Sequence, residues 1–226
     1  MPSTQPDHGD HYFSSKPSGA SDRRTIDLVL PEGRLLPLLT DRGVFSADQV
    51  DPGTRILLAE PFDFEGATTL VDLGCGYGPV AIALALRSNP DTVVWAVDVN
   101  ERARDLCRAN AEANGMGDRI RVVAPDEFPA DLAIDQIWSN PPIRVGKAAL
   151  HDLLETWLNR LDPTKGSATM VVNKNLGSDS LARWLDQGGW PTERLTSRAG
   201  YRILRSTVAP PTAAPESNSP AGEAGT

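Results

Sequence analysis

The sequence predicts an α/β fold, a Rossmann-like and mostly parallel seven-stranded sheet with helices on both faces. From residue 68 to residue 208, short apolar runs that are typical of buried strands alternate with helical segments, the pattern of a parallel sheet covered on both faces. A glycine-rich turn, "VDLGCGYG", closes the first apolar run and opens the first helix. Two short runs on either side of Gly200 predict a C-terminal antiparallel hairpin at one edge of the sheet.

A short β-rich lead-in is predicted before the sheet, because residues 24–60 consist of short runs broken by turn residues: "RTIDLVL", "RLLPLLT", "GVFS" and "RILLAE". Residues 1–22 and 209–226 are polar or lack large apolar side chains, so they cannot bury enough surface to offset chain entropy. We expect a flexible N-terminal arm over 1–22 and a disordered tail over 209–226. One domain then spans 23–208, with its core over 68–208.

The elements of the core follow from their patterns in chain order. The strand "TTLVDLG" precedes the helix "PVAIALALRS", whose Pro79 suits a first turn. The strand "TVVWAVDVN" precedes a helix that Asn100 caps and that ends near Gly115. "RIRVVAP" and "LAIDQIWSN" are the third and fourth strands, and "KAALHDLLETWLNRL" places its leucines on one helical stripe. "SATMVVNKN", "DSLARWLDQ" and the hairpin complete the series as a strand, a helix and two strands.

The composition argues against several classes of protein. No stretch approaches the ~20 apolar residues of a membrane helix, and the first residues contain no apolar run for a signal peptide. We therefore expect no membrane association. The two cysteines, Cys75 and Cys107, form no CxxC pair, which argues against a metal site and fits a reducing cytoplasm.

The formal net charge of −8 speaks against a general nucleic-acid binder. The charge is uneven, however, with 12 Lys and Arg against 22 Asp and Glu over residues 1–139, and 10 against 6 over residues 140–208. An anionic partner is therefore expected to meet the second half of the domain, unless this difference is ordinary surface scatter. The sequence leaves the oligomeric state open.

Acidic residues and glycines at the ends of successive strands predict a nucleoside-containing cofactor. Three glycines let the backbone turn sharply and approach a ligand: Gly74, Gly76 and Gly78. Asp72, two residues before the first glycine, suits a cationic amino group better than a pyrophosphate. Asp98 ends the second strand, where a carboxylate can accept both ribose hydroxyls, and Asp126 follows the third strand. Structural roles alone would also account for single residues, since tight turns need glycine and Asp98 could start a helix.

The stretch "SNPPIRVGK", residues 139–147, ends the fourth strand beside this pocket. The side-chain oxygen of Asn140 and the carbonyl of Pro141 can both accept hydrogen bonds from one planar NH₂ group, and proline fixes the carbonyl angle. Two such acceptors favour a localised lone pair on the nitrogen and orient it for attack. Arg144 and Lys147 come next, and such cations would pair with phosphate oxygens if the NH₂ group belonged to a nucleotide. The alternative is a Pro-Pro turn with an asparagine cap and a solvated helix start.

The chain resembles a class I S-adenosylmethionine-dependent methyltransferase over about residues 68–208. The features that carry this resemblance are, in chain order, "VDLGCGYG", Asp98, Asp126 and "SNPP". The resemblance implies S-adenosylmethionine as the cofactor, catalysis through Asn140 and Pro141, and no need for a metal. The residues implied to surround the cofactor are Asp72 and the glycine loop with Cys75 for the methionine part, Asp98 for the ribose, and Val99 and Asp126 for the adenine.

Within that class, "HYFS", "TDRGVFS" and "NPPIRVGK" resemble the RsmC-type guanine-N2 methyltransferases that act on small-subunit ribosomal RNA. The match covers the catalytic half of that group with its lead-in. It implies a guanine exocyclic amine as the acceptor, ribosomal RNA or the small ribosomal subunit as the partner, and a cytoplasmic location. The substrate-binding residues are then Pro142, Ile143, Arg144 and Lys147. The family usually has a stacking aromatic residue where this chain has Ile143, so weaker apolar contact holds the base, or Phe13 or Phe45 contributes.

Two other functions stay open. A protein-glutamine or small-molecule N-methyltransferase would use the same "NPP" geometry for a different planar nitrogen. A non-catalytic, cofactor-binding RNA assembly factor is the second alternative, and Ile143 in place of an aromatic residue is the observation that suggests it.

Overall fold

A small antiparallel sheet and a short helix precede the main sheet in this computed structural model, which describes residues 21–209. The small sheet consists of β1 (Arg24–Val29) and β2 (Leu35–Thr40), and the helix is α1 (Pro52–Leu57). The two strands agree with the predicted lead-in. The β-like assignments of "GVFS" and "RILLAE" were wrong, because the first lies in turns and the second contains the end of α1.

The start of α1 explains that error. Asp51 is its N-cap, and the side chain accepts a hydrogen bond from the Thr54 backbone N at 3.0 Å. Pro52 occupies the first turn, where its fixed φ and missing N–H suit a helix start. The sequence "DPGT" therefore contains a helix signal that outweighs the β propensity of the aliphatic run after it.

The main sheet has seven strands, as predicted, and their bounds are β3 (Thr69–Leu73), β4 (Val93–Val97), β5 (Ile120–Val123), β6 (Gln136–Ser139), β7 (Ser167–Asn173), β8 (Thr192–Arg198) and β9 (Tyr201–Thr207). Their spatial order is β5-β4-β3-β6-β7-β9-β8. The first five pair in parallel, whereas β9 pairs antiparallel with both β7 and β8. The predicted fold class, with its C-terminal hairpin, is confirmed.

Four helices cover the sheet: α2 (Pro79–Arg87), α3 (Glu101–Ala113), α4 (Lys147–Leu158) and α5 (Ser178–Gln187). They belong to two separate clusters of buried side chains. One contains the lead-in, α2 and α3, and the other contains α4 and α5. Consecutive residues of β3, Leu70 and Val71, belong to different clusters, as the alternation of side chains across a strand requires.

Local signals account for the helix starts. Pro79 lies in the first turn of α2, and the side chain of Asn100 caps α3 by accepting from Ala103 N at 3.2 Å. The predicted stripe of α4 is buried at Leu150, Leu154, Trp157 and Leu158.

Asn110 of α3 ties the lead-in to the main sheet. Its Oδ1 accepts from Leu39 N at 2.6 Å, and its Nδ2 donates to the carbonyls of Leu39 and Tyr77, both at 2.8 Å. The side chain is 1% exposed, so these three bonds form away from water. Strand β2, helix α3 and the loop after β3 are thereby joined at one residue.

The predicted terminal segments fall largely outside the described residues. Residues 1–20 and 210–226 are not described, and the predicted Phe13 lies among them. The last two residues of the predicted arm are held in place, since Ser21 Oγ and Asp22 N each donate to the buried Asp41 carboxylate at 2.6 Å. Over residues 21–209, no helix is long and apolar enough to cross a membrane.

The strand order fixes where a ligand can bind. The chain places β4 and β5 on one side of β3 and then returns to place β6 on the other. Such sheets bind ligands outside the carboxyl ends of the strands, at the point where the order reverses. Leu73 pairs with both Val97 and Ser139, so three loops leave the sheet at one level, beginning with Gly74, Asp98 and Asn140.

Candidate active site

The glycine loop after β3 is anchored to β4 and leaves open space on its other side. The backbone N atoms of Gly74 and Cys75 both donate to Val97 O, at 2.8 and 3.0 Å. Gly74 and Gly76 have φ of +77° and +54°, and a Cβ on either would meet no atom within 4 Å. At Gly78, with φ of +93°, a Cβ would lie 2.7 Å from a cysteine Sγ. Gly74 and Gly76 thus allow a left-handed backbone conformation beside a cavity. Gly78 allows the start of α2 to pack closely against Cys107 of α3.

Asp72 is the most deeply buried carboxylate of the site. Its side chain is 1% exposed, and Oδ2 accepts a hydrogen bond from Ala81 N at 2.8 Å. Desolvation raises the pKa of Asp72 from 3.8 to about 8, and the nearby charge of Asp98 adds to the effect. No described residue donates to Oδ1 of Asp72, whose side chain lines the cavity. A cation entering this cavity would supply the missing counter-charge.

Asp98 leaves β4 beside that loop. Its Oδ2 accepts from Gly76 N at 2.8 Å, and its Oδ1 accepts from Asn100 N at 2.9 Å. Burial raises the pKa of Asp98, while these backbone donors and the positive charge of Arg104 oppose the shift. A guanidinium nitrogen of Arg104 also donates to the carbonyls of Asp98 and Val99, at 2.8 and 2.9 Å. The carboxylate is thus held in a fixed orientation at the cavity wall.

A first cavity of about 220 Å³ lies between the glycine loop and the lead-in. The predicted residues that line it are Asp72, Gly74, Cys75, Gly76, Asp98 and Asn140. Gly78 stands behind it as the N-cap of α2, and Val99 is not part of the lining. Asp126 lies in a 3₁₀ turn after β5 with its side chain exposed, outside this lining. The adenine contacts assigned to Val99 and Asp126 therefore stay predictions.

The thiol of Cys75 has no base partner among the described residues. A hydrogen bond with the buried Cys107 thiol, together with desolvation, raises the pKa of Cys75. A thiol that stays protonated is a poor nucleophile, so Cys75 contributes shape to the loop rather than reactivity.

A second cavity, of about 380 Å³, adjoins the first. It is lined by the predicted substrate residues Pro142, Ile143 and Arg144, together with Asn140 and Pro141. Lys147 is exposed at the start of α4 and does not line either cavity. Four residues line both cavities: Phe45, Ser46, Asp51 and Asn140. The predicted catalytic asparagine therefore lies where the two cavities meet.

Two residues of the lead-in fix the orientation of the Asn140 amide. Its Nδ2 donates to Asp51 Oδ1 at 2.8 Å and to Thr54 Oγ1 at 3.1 Å. A carboxylate can only accept hydrogen bonds, so the nitrogen of the amide must face Asp51 and the oxygen must point elsewhere. Among the described residues, none donates to Asn140 Oδ1. That oxygen remains available as an acceptor at the junction.

The carbonyl of Pro141 is held by a tight turn. It accepts from Ile143 N at 2.8 Å, across Pro142 with φ of −76° and ψ of 72°. These angles define an inverse γ-turn. Because a carbonyl oxygen has two lone pairs, the turn occupies one and leaves the second for a substrate.

The predicted need for an aromatic side chain finds candidates in the second cavity. Phe45 lines both cavities and is 48% exposed, and Tyr201 lines the second one. Ile143 lines the same cavity while packing partly against the core. Ser46, next to Phe45, has a φ of +55°, an uncommon conformation for a residue other than glycine.

The sequence did not predict Asp51, Thr54 or Tyr201 as part of the site. Asp51 and Asn140 are 89 positions apart, and no local pattern relates them. The available signal was the helix start at "DPGT", which would have placed Asp51 at a fixed point of the lead-in without revealing its contact.

Among residues 21–209, no group of three or more His, Cys, Asp or Glu side chains could hold a metal ion.

Comparison with known proteins adds independent findings. The family model described as "Methyltransferase small domain" matches residues 36–205. The chain is 33% identical over 200 residues to the uncharacterized protein YbxB of Bacillus subtilis, covering 87% of this chain and 98% of that protein. It is 31% identical over 204 residues to ribosomal RNA small subunit methyltransferase C of Aeromonas hydrophila, covering 88% of this chain and 54% of that protein.

Among solved structures, the T. thermophilus 16S rRNA N2 G1207 methyltransferase (RsmC), in complex with AdoMet and guanosine, matches with a TM-score of 0.68. The identity is 24%, over 85% of this chain and 52% of that one, so this likeness concerns the fold. The chain spans about half the length of the RsmC proteins it matches.

Proposed function

The chain belongs to the methyltransferase small domain family, as the sequence predicted, and from that membership we propose that it is an S-adenosylmethionine-dependent N-methyltransferase. The acceptor that we propose is the exocyclic N2 amine of a guanine in small-subunit ribosomal RNA. The observation that carries this proposal is the position of Asn140, whose amide oxygen is available where the two cavities meet.

The first cavity has the chemistry to hold S-adenosylmethionine. Asp72 is a buried carboxylate without a cationic partner among the described residues, so it suits the ammonium group of the methionine part. Gly74 and Gly76 leave space for a ligand against the backbone. Asp98 faces the same cavity and suits the ribose hydroxyls. When bound, the cofactor supplies a methyl group on a sulfonium sulfur, which needs no further activation.

The protein's own contribution is to orient the acceptor nitrogen. Asn140 Oδ1 and the second lone pair of the Pro141 carbonyl accept hydrogen bonds from the two N–H groups of the amine. Once the nitrogen has taken the methyl group, it releases one proton to solvent. These contacts oppose delocalisation of the nitrogen lone pair into the base and stabilise the positive charge that develops on nitrogen. Asp51 and Thr54 hold the Asn140 amide, and the γ-turn holds the carbonyl, so both acceptors are in place before the substrate binds.

The second cavity provides a place for the base itself. A base must leave its stack to reach such a pocket, and Phe45, Tyr201 and Ile143 offer ring and apolar surface there. Arg144 lines the same cavity and can pair with a phosphate oxygen of the target strand. Lys147 lies three residues further on and extends this positive charge toward the solvent.

The names of the relatives support ribosomal RNA as the substrate. Several are ribosomal RNA small subunit methyltransferases C, and the solved structure of similar fold is a 16S rRNA N2 G1207 methyltransferase in complex with AdoMet and guanosine. The charge of residues 140–208, with 10 Lys and Arg against 6 Asp and Glu, is favourable for an RNA partner. A small-subunit substrate would place the protein in the cytoplasm.

Methyl transfer to separated cell fractions tests the proposal. Small ribosomal subunits from cells that lack the gene are incubated with the protein and tritiated S-adenosylmethionine, next to ribosome-free protein and small-molecule fractions. We expect label in 16S RNA, at N2 of a guanine. Label confined to protein or to small molecules would refute the RNA substrate and support the alternative N-methyltransferases.

The variant Asn140→Ala tests the catalytic role directly. Removing the acceptor should lower the methylation rate by about 10²–10³-fold, the usual cost of deleting one stabilising group, while cofactor binding measured by calorimetry stays within a few-fold. Asn159→Ala, at an exposed position after α4, is the matched control. Unchanged methylation by Asn140→Ala would overturn this role, and absence of any transfer by the wild type would favour a non-catalytic assembly factor.

A further inference from the structure

Asp51 lines the cavity that we assign to the base, and one of its carboxylate oxygens accepts no hydrogen bond from residues 21–209. Its Oδ1 is occupied by Thr54 N at 3.0 Å and by Asn140 Nδ2 at 2.8 Å. No described residue donates to its Oδ2, and no Lys or Arg of residues 21–209 forms an ion pair with it. The side chain lines both cavities.

The carboxylate is also held rigidly. It caps α1, and its Oδ1 accepts from Thr54 N and Asn140 Nδ2. The carboxylate and the Tyr201 ring both pack closely against Gly53, where an added Cβ would lie 2.8 Å from Asp51 Oδ1 and 2.9 Å from Tyr201 Cε1. The ring of Tyr201 therefore packs against the first turn of α1, on the side of the second cavity. Two hydrogen bonds to Oδ1 and close packing against Gly53 thus hold the Asp51 carboxylate beside the Asn140 amide.

An unpaired carboxylate is an unfavourable neighbour for an RNA strand. Its charge repels phosphates, and a base nitrogen with an exposed lone pair would be repelled as well. Such a group improves binding only if the ligand offers it a hydrogen-bond donor. The edge of the base that meets Asp51 must therefore carry an N–H beside the amine that Asn140 accepts.

Among the common bases, guanine alone has that edge. Its N1–H lies next to its N2 amine, so the edge presents adjacent donors. Adenine and cytosine each place a ring nitrogen with a lone pair beside the exocyclic amine, and uracil has no amine. Asp51 and Asn140 are hydrogen-bonded to one another and both line the two cavities, so each brings to the junction an oxygen to which no described residue donates.

We propose that Asp51 determines base specificity, with its Oδ2 accepting N1–H of the guanine whose N2 amine is held by Asn140. This inference rests on the proposed function and adds to it the residue that selects the base. Asn140 alone accepts any planar amine, whereas Asp51 distinguishes guanine from adenine and cytosine.

The variant Asp51→Asn isolates this contact. Asparagine caps helices as well as aspartate does, and its oxygen can replace Oδ1 as the acceptor for Thr54 N and Asn140 Nδ2. Its NH₂ group then stands where Oδ2 stood, and a donor replaces an acceptor. Thermal unfolding of the variant checks that the fold is kept.

Two nucleosides report on the contact: guanosine, and 2-aminopurine riboside, which keeps the C2 amine but has a lone pair instead of a proton at N1. Their dissociation constants are measured by NMR titration in the presence of S-adenosylhomocysteine. Wild type should bind guanosine about 10- to 100-fold more tightly, the effect of one hydrogen bond to a charged group. In Asp51→Asn this ratio should fall to about one or reverse.

The control is Asp48→Asn, the same substitution at an exposed carboxylate of the lead-in that lines neither cavity, so the nucleoside ratio should stay at the wild-type value. If Asp51→Asn also keeps that ratio, Asp51 is only a helix cap and the inference is overturned while the proposed function stands. If wild type binds neither nucleoside, or does not prefer guanosine, the inference fails together with the assignment of guanine. Methyl transfer to 16S RNA, measured separately, shows whether the proposed function itself has failed.

Discussion

Replacing Asp72 by asparagine should stabilise the ligand-free protein while weakening its hold on the cofactor. The carboxylate is buried at the base of the first cavity with one backbone donor, Ala81 N. Asparagine keeps an oxygen for that donor and removes the charge. The expected gain in stability depends on pH, because it comes from the cost of ionising a desolvated acid.

The magnitude follows from the pKa of Asp72, which burial raises from 3.8 to about 8. Between these two values the folded protein keeps a proton that the unfolded chain has lost, so the free energy of unfolding decreases as pH rises. The decrease ends once pH passes the folded-state value. With ~1.4 kcal/mol for each pKa unit, a difference of about four units amounts to on the order of 6 kcal/mol. Below about pH 4 both states are protonated and the effect vanishes.

The assay is urea unfolding of wild type and Asp72→Asn, without ligand, at one-unit steps from pH 5 to pH 9. The stability of the wild type should fall relative to the variant over this range. Asp98 is present in both proteins, so its own titration is largely common to them. Parallel pH profiles, or a variant that is less stable at every pH, would refute the assignment of a buried, proton-retaining Asp72.

The protonation of Asp72 should also make cofactor binding release a proton. Below about pH 8 the ammonium group of S-adenosylmethionine must displace the proton of Asp72, so binding to wild type should release up to one proton. Calorimetry in two buffers of different ionisation enthalpy measures this release. Asp72→Asn should bind more weakly and release none from this site. Equal proton release by both proteins would show that Asp72 does not meet the cationic group.

Three further experiments test other features. Gly78→Ala would place a Cβ 2.7 Å from Cys107 Sγ at a φ of +93°, whereas Gly74→Ala would place one in open space at a φ of +77°. In urea unfolding, Gly78→Ala should lower the free energy of unfolding by about 2–4 kcal/mol and Gly74→Ala by about 1–2 kcal/mol. Equal losses would contradict the packing role of Gly78. Asn110→Ala removes three buried hydrogen bonds and should lower the free energy of unfolding by about 2–4 kcal/mol; a loss below 1 would show that water replaces them. Arg144→Ala should reduce the slope of the logarithm of the RNA-binding constant against the logarithm of the salt concentration by about 0.7. The control Arg121→Ala, on the distant edge strand β5, should leave this slope unchanged. An equal effect of both variants would indicate that RNA is attracted by the overall charge and not by a contact with Arg144.

Features that depend on neighbours in the chain were predictable from the sequence. The glycine loop, Pro79 at the start of α2 and the Asn100 cap of α3 each depend on a few consecutive residues, and the alternation of strands and helices then limits the topology. The spatial order of the strands, β5-β4-β3-β6-β7-β9-β8, was not predicted and came from the structure. Asn140 could be assigned a role because its prolines and the end of β6 are local features.

The remaining features depend on contacts between distant segments. The short α1 was predicted as extended from the aliphatic run "RILLAE", and the helix start at "DPGT" before it was not recognised. The bond from Asn140 to Asp51 joins residues 89 positions apart, and the position of Phe45 at both cavities depends on how the lead-in packs on α3. Neither follows from any periodicity.

The lead-in forms a wall of both chambers and supplies the groups that stop the Asn140 amide from turning over. A fragment that begins at residue 68 would still contain every strand of the main sheet and the whole glycine loop. It would lack Asp51, Thr54 and Phe45. The side-chain amide of Asn140 would then be free to rotate, and both cavities would lose one wall. Anyone who transplants this sheet into a designed enzyme must therefore carry the preceding hairpin and helix along with it.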